Sequence, residues 1–116
     1  MYGLHIDQAM LNTLQDIMED EYPALLDTYL ADSEERLSLL RTAVREADPY
    51  TLREAAHSFK GSCSNMGVSY LADLCQQLEL CGQNGDLHQA HSLLRLIEKE
   101  LTIVRVLFRA ERRRYA

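Results

Sequence analysis

The chain has 116 residues, of which 47% are hydrophobic and 26% charged, and its net charge is −6. That is apolar material for one core and one small domain spanning 1–116, and the acidic balance argues against a nucleic-acid binder. Five Gly and two Pro supply too few turns for a many-stranded sandwich, and no window of eighteen apolar residues marks a membrane span.

Apolar periodicity predicts five helices with short connections and no strand. The first runs from Asp7, a candidate N-cap, to Asp20, with Met10, Leu11, Leu14, Ile17 and Met18 on one side. Pro23 fits the first turn of a second helix, where its missing N–H costs little. Leu26, Leu30, Ser33, Leu37, Leu40, Val44 and Ala47 follow at alternating steps of four and three, a seam for packing on other helices. Asp48-Pro49 pairs an N-cap with Pro at the first helical position and so opens a third helix. Its apolar face is Leu52, Ala55, Ala56, Phe59, Cys63 and Met66, and Gly67 is placed to end it. Ser69 is the expected cap of a fourth helix bearing Leu71, Leu74, Cys75, Leu78 and Cys81, broken by Gln83-Asn84-Gly85. Asp86 with Gln89 three residues on is a capping-box arrangement for the fifth, where Ala90, Leu94, Ile97, Leu101, Val104 and Phe108 repeat the four-three spacing. Short connections make sequential helices antiparallel. The expected fold class is therefore all-α, an up-down-up-down four-helix bundle with a short additional N-terminal helix.

Charge is unevenly spread. Residues 1–48 hold eleven Asp/Glu against three Lys/Arg, and 49–116 hold seven against nine. The dense basic cluster, Arg109, Arg112, Arg113 and Arg114, is read as complementing the negative end of the last helix. The opening Met1-Tyr2-Gly3-Leu4-His5 lacks the succession of a secretory signal. Three Cys without metal-ligand spacing fit free thiols, so a cytoplasmic location is expected.

The third helix holds the stretch that could carry chemistry, His57-Ser58-Phe59-Lys60-Gly61-Ser62-Cys63-Ser64-Asn65-Met66-Gly67. His57 lies one position past the buried stripe and is expected to reach solvent. Gly61 is out of place, since Gly in a helix interior costs about 1 kcal/mol relative to Ala. It removes a side chain one turn from His57 and clears an approach to the imidazole, unless it serves close helix packing. Lys60 puts a positive charge on the same face, which disfavours imidazolium and would attract an anion built on the ring. Taken together these suit phosphoryl acceptance on nitrogen; taken singly, each also has an ordinary structural explanation.

The His57-Ser58-Phe59-Lys60-Gly61-Ser62 run with Gly67 resembles the signature of histidine-containing phosphotransfer (HPt) domains. The resemblance continues through Leu71, Leu74, Cys75 and Leu78 and the Gly82-Gln83-Asn84-Gly85-Asp86 turn. It implies a phosphoryl carrier in a multistep two-component phosphorelay, with His57 phosphorylated on Nε2. The partners implied are the receiver domain of a hybrid sensor histidine kinase and the receiver domain of a response regulator. No cofactor is implied for this chain, since Mg²⁺ belongs to the receiver, and no kinase or Walker-type motif is present, so the chain is expected to be no enzyme. A free-standing monomer, bound to neither membrane nor nucleic acid, is the expected form. The resemblance assigns the phosphate environment and receiver access to Lys60, Gly61, Gln76 and Glu79. Glu79 could orient the imidazole by accepting a ring N–H, but its charge would also repel phosphate. Cys63 is read as core packing.

Other readings are weaker. Glu54 and His57 have the E-x-x-H spacing of di-iron bundles, but no second pair occurs. His88 and His91 share a helical face without an evident third ligand, so no metal is expected. A sensor-kinase dimerisation hairpin usually has an acidic residue where Ser58 stands. The alternative from another class is a helical-bundle adaptor that binds partners without phosphoryl transfer.

Overall fold

Helix capping sets the order of elements. In the computed structural model, which describes residues 3–115, α1 is Gln8–Met18, α2 Tyr22–Arg45, α3 Pro49–Asn65, α4 Ser69–Asn84 and α5 Leu87–Arg113, with a 3-10 turn at Glu19–Glu21. Three aspartates satisfy orphan amides at helix starts. Asp7 accepts from the Met10 amide, Asp48 from that of Thr51 and Asp86 from that of Gln89. The Thr51 hydroxyl and amide together hold the Asp48 carboxyl below the usual carboxylate range.

Helices α2, α3 and α4 share one closure. A residue just past the helix turns left-handed, and the next amide reaches back five residues. Gly67 does this after α3, with Val68 N–H donating to Cys63 O at 2.9 Å, and Gly85 after α4, with Asp86 N–H donating to Cys81 O at 2.9 Å. Ala47 does it after α2 at φ 52°, a conformation that costs a non-glycine residue about 1–2 kcal/mol.

Connections of two and three residues make α2 to α5 antiparallel neighbours. Helix α2 packs on α3 and α5, α4 packs on the same two, and α3 and α5 face each other diagonally across the core. Tyr22, Leu26, Leu40, Leu52, Phe59, Leu71, Leu78, Ile97, Leu101 and Phe108 are fully buried there. Ion pairs mark the α2–α5 register: Asp27 with Arg112 at 3.0 Å, Glu34 with Arg105, and Arg41 with Glu98 at 2.7 Å. Each rung advances seven residues on α2 and retreats seven on α5. Exposed pairs of this kind contribute about 0–1 kcal/mol each, so apolar burial along the four-three seams supplies most of the stability.

The N-terminal segment is strapped over the α3–α4 turn. Ile6 is buried, Asp7 N–H donates to Gly67 O at 2.7 Å, and His5 Nδ1 lies 2.6 Å from Oε2 of the buried Glu100. At the far end of α5, buried Glu111 accepts from the Tyr22 hydroxyl at 2.8 Å and pairs with Arg114 at 2.8 Å. Burial and that hydrogen bond push the Tyr22 phenol upward.

Several boundaries differ from the sequence expectation. Helix α1 stops at Met18 and tightens into the 3-10 turn. Of its expected face only Leu11 is fully buried, and Ile17 is 69% exposed, because α1 touches one end of the bundle rather than joining the ring. On α2, Tyr29 is buried where Leu30 was expected to lead, and Ala47 leaves the seam because its left-handed backbone ends the helix. Leu93 likewise goes deeper than Leu94. Ser69 is not the cap of α4. Buried Val68 occupies that position, and the Ser69 hydroxyl donates to Gly67 O at 3.4 Å.

The sequence marks Gly82 only as part of a turn, yet the backbones of α3 and α4 approach closely there. A Cβ there would lie 2.7 Å from Arg53 N and 2.8 Å from Pro49 O. Backbone cannot yield as a side-chain tip can, so Gly82→Ala should destabilise by about 1–3 kcal/mol in urea unfolding. Ala47→Gly, which relieves the left-handed strain, should stabilise by about 0.5–1 kcal/mol in the same assay.

Candidate functional site

The register of α3 against α4 assembles the expected residues. With Gly82 against Pro49 and Arg53, the next turns of the antiparallel pair place Glu79 beside His57 and Gln76 beside Lys60. The His57 side chain is 65% exposed and Glu79 only 17%, so an open imidazole stands on a largely covered carboxylate.

His57 Nδ1 lies 3.0 Å from Glu79 Oε2. An ionised carboxylate only accepts, so in the neutral ring the proton sits on Nδ1 and the Nε2 lone pair is left free. The Lys60 ammonium donates to Gln76 Oε1 at 3.0 Å and approaches Glu79 Oε1 at 2.8 Å, an ion contact outside good hydrogen-bond geometry. Burial works to raise the Glu79 carboxyl. Its contacts with Lys60 and His57 outweigh that, and it titrates below its ordinary value. Lys60 puts its positive charge on the His57 face, and Glu79 offsets that charge while the pair is formed.

Gly61 lies on the exposed side of α3, and a Cβ there would meet nothing within 4 Å. Close helix packing therefore does not explain this glycine; Gly82 is the one that packing requires. The neighbouring Ser58 and Ser64 are also exposed, so small side chains surround the approach to His57.

Arg36 of α2 was not singled out from the sequence. Its guanidinium donates to Ser58 Oγ and pairs with Asp32 at 2.6 Å, setting a second cation one residue along from His57. No spacing rule links residues 36 and 58, because only packing of α2 on α3 joins them. Beneath the site, buried Cys63 lies 3.3 Å from the Tyr29 hydroxyl, and a hydrogen bond to Cys63, with burial, pushes the Cys75 thiol up. These sulfurs belong to the core. Glu54, His88 and His91 are exposed, and among the described residues no three His, Cys, Asp or Glu side chains converge to hold a metal.

The Hpt domain family matches this chain over residues 24–106. The chain belongs to that family. Its fold is similar to the crystal structure of histidine-containing phosphotransfer protein B (HptB) from Pseudomonas aeruginosa PAO1, with 49% identity and a TM-score of 0.96, covering 98% of this chain and 99% of that one. No curated protein matches it. Membership makes this Hpt domain a histidine phosphotransfer module of the phosphorelay class, a carrier rather than a kinase, of a family that interacts with receiver domains. Among the described residues no helix is long and apolar enough to cross a membrane.

Because its folded value is lowered from 4.5, Glu79 adds stability that is complete above its unfolded value and is lost as pH falls through the folded one. Urea unfolding below pH 4.5 should show a steeper loss for the wild type than for Glu79→Gln, which cannot titrate. Gly61→Ala, with open space for its Cβ, should stabilise α3 by about 0.5–1 kcal/mol.

Proposed function

We propose that the protein relays phosphoryl groups between two receiver domains, taking one from an aspartyl phosphate onto His57 and passing it to a second aspartate. The observation that carries this is the exposed His57 ring held through Nδ1 by Glu79, which leaves Nε2 as the nucleophile.

In the forward step the Nε2 lone pair attacks phosphorus, the bond from phosphorus to the aspartyl oxygen breaks, and the aspartate leaves as carboxylate. The Nδ1 proton stays on the ring, which becomes cationic, and the Glu79 carboxylate offsets that charge. Lys60 is freed from Glu79 to meet the phosphoryl oxygens, and Gln76 steadies it from α4. Return to an aspartate reverses the bond changes, with the electron pair going back to Nε2. Glu79 thus holds the tautomer, and its repulsion of the phosphoryl group keeps the adduct labile enough to pass on. Gly61 and the small residues around it admit the receiver face. The receiver supplies the aspartate and its Mg²⁺, so this chain needs no cofactor or ATP site and acts as a monomer on the cytoplasmic side. One partner is the receiver of a hybrid sensor kinase and the other that of a response regulator.

Incubation with a phosphorylated receiver should give an acid-labile, base-stable adduct that is absent in His57→Gln. Persistence of the adduct in that variant sinks the assignment, and a failure to accept label from any receiver favours the adaptor reading. Gly61→Gln should keep the fold and slow transfer by about tenfold or more, the rate equivalent of roughly 1.4 kcal/mol.

A further inference from the structure

Helix α5 has a second seam that lies outside the core cluster. Leu96, Lys99, Ile103, Val106, Ala110 and Arg113 are spaced three, four, three, four and three residues apart, the repeat by which one helix packs along another. They lie on the side of α5 away from the core. Leu96 is 43% exposed, Ile103 40% and Val106 60%. Arg95 and Arg109 flank the row, and among the described residues neither they nor Lys99 and Arg113 form an ion pair.

The acids of α5 are all engaged elsewhere. Glu98 pairs with Arg41 on the α2 side, while Glu100 and Glu111 are buried against His5 and against Tyr22 with Arg114. The outer face is therefore basic and partly apolar on a chain whose net charge is −6. Helix dipole complementarity explains cations in the last turn only. It does not reach Arg95 and Lys99, three or more turns earlier.

We infer that the outer face of α5 docks an acidic amphipathic helix from a partner protein. Charge complementarity selects that occupant. A second copy of this chain would set Lys99, Arg113 and both flanking arginines against their own kind, and like charges so placed repel. A nucleic acid would leave Leu96, Ile103 and Val106 without a role. An anionic bilayer has no use for heptad spacing, and as an extended charged plane it would repel the acidic remainder of the molecule. A helix with apolar residues on its seam and Glu or Asp beside them meets each feature, and the charges act within a Debye length of about 8 Å. Because α5 is diagonal to α3, a partner held there leaves His57 open to a receiver, so the carrier could be tethered while it transfers.

The test is a titration of the ¹⁵N-labelled full chain with a synthetic helical peptide carrying leucine on its seam and glutamate on its flanks. Amide shifts should gather on residues 95–113 and spare the surroundings of His57. The double variant Arg95→Glu with Arg109→Glu should bind at least tenfold more weakly while its phosphotransfer rate stays unchanged. His57→Gln should bind the peptide as the wild type does, which separates this inference from the proposed function. Shifts centred on α3, equal binding of a lysine-flanked peptide, or stronger binding of phosphatidylglycerol vesicles by the same face would overturn it. In cells, a photo-crosslinker at position 106 should attach to an acidic helical segment of another protein. Adducts only to lipid or to a second copy, or no more than form from exposed Glu35 on α2, are also contrary results.

Discussion

The close approach of α3 and α4 at Gly82 is the constraint on which the site depends. Contact between the Gly82 backbone and the Pro49–Arg53 turn admits no Cβ, and the Schellman turn at Gly67 closes the opposite end of the pair. Two helices pinned at both ends cannot slide. Their side chains then meet in one register, in which a carboxylate of α4 reaches an imidazole of α3 at 3.0 Å and an amide of α4 reaches an ammonium of α3 at 3.0 Å. A slip of one residue would rotate Glu79 by about 100° around α4 and disconnect it from His57. The imidazole then keeps its exposure but loses the tautomer that makes Nε2 nucleophilic.

Around this pair, α2 and α5 act as a frame. Their ion-pair rungs repeat every seven residues on both helices, which identifies an antiparallel coiled-coil contact without large electrostatic stabilisation. The frame brings Arg36 onto Ser58 and carries Glu100 and Glu111, two buried carboxylates that tie down the N-terminal strap and the start of α2. Removing one partner of such a buried group leaves an uncompensated charge, so these ties oppose fraying at the end where α2 and α5 extend past the short helices. The inner face of α5 serves the core, and its outer face keeps a repeat of its own.

Much of this was legible because it is local. Aspartate caps, the prolines at helix starts and the four-three spacing depend on residues within one turn of each other, and all five helices begin within a residue of their signals. The exceptions were also local but ambiguous. Ser69 has the side chain of a cap, yet burial of Val68 takes that place. Ala47 continues the apolar spacing, yet its backbone turns left-handed. Near-neighbour competition of this kind is decided by which side chain the core can accept, and periodicity does not encode it.

The sequence by itself determined the helices, the bundle they form and the single stretch in which His57, Lys60 and Gly61 share a face. The family resemblance added Gln76 and Glu79 as candidates, three residues apart on one flank of α4. Tertiary structure alone decided which atoms meet: that Glu79 holds Nδ1 and so frees Nε2, that Lys60 spends its charge on Glu79 and Gln76, that Arg36 reaches Ser58, and that packing requires glycine at 82 but not at 61. The physical reason is range. Helix propensity and capping act over one turn, whereas a hydrogen bond between helices depends on axial register and rotation, which are set by steric contact many residues away.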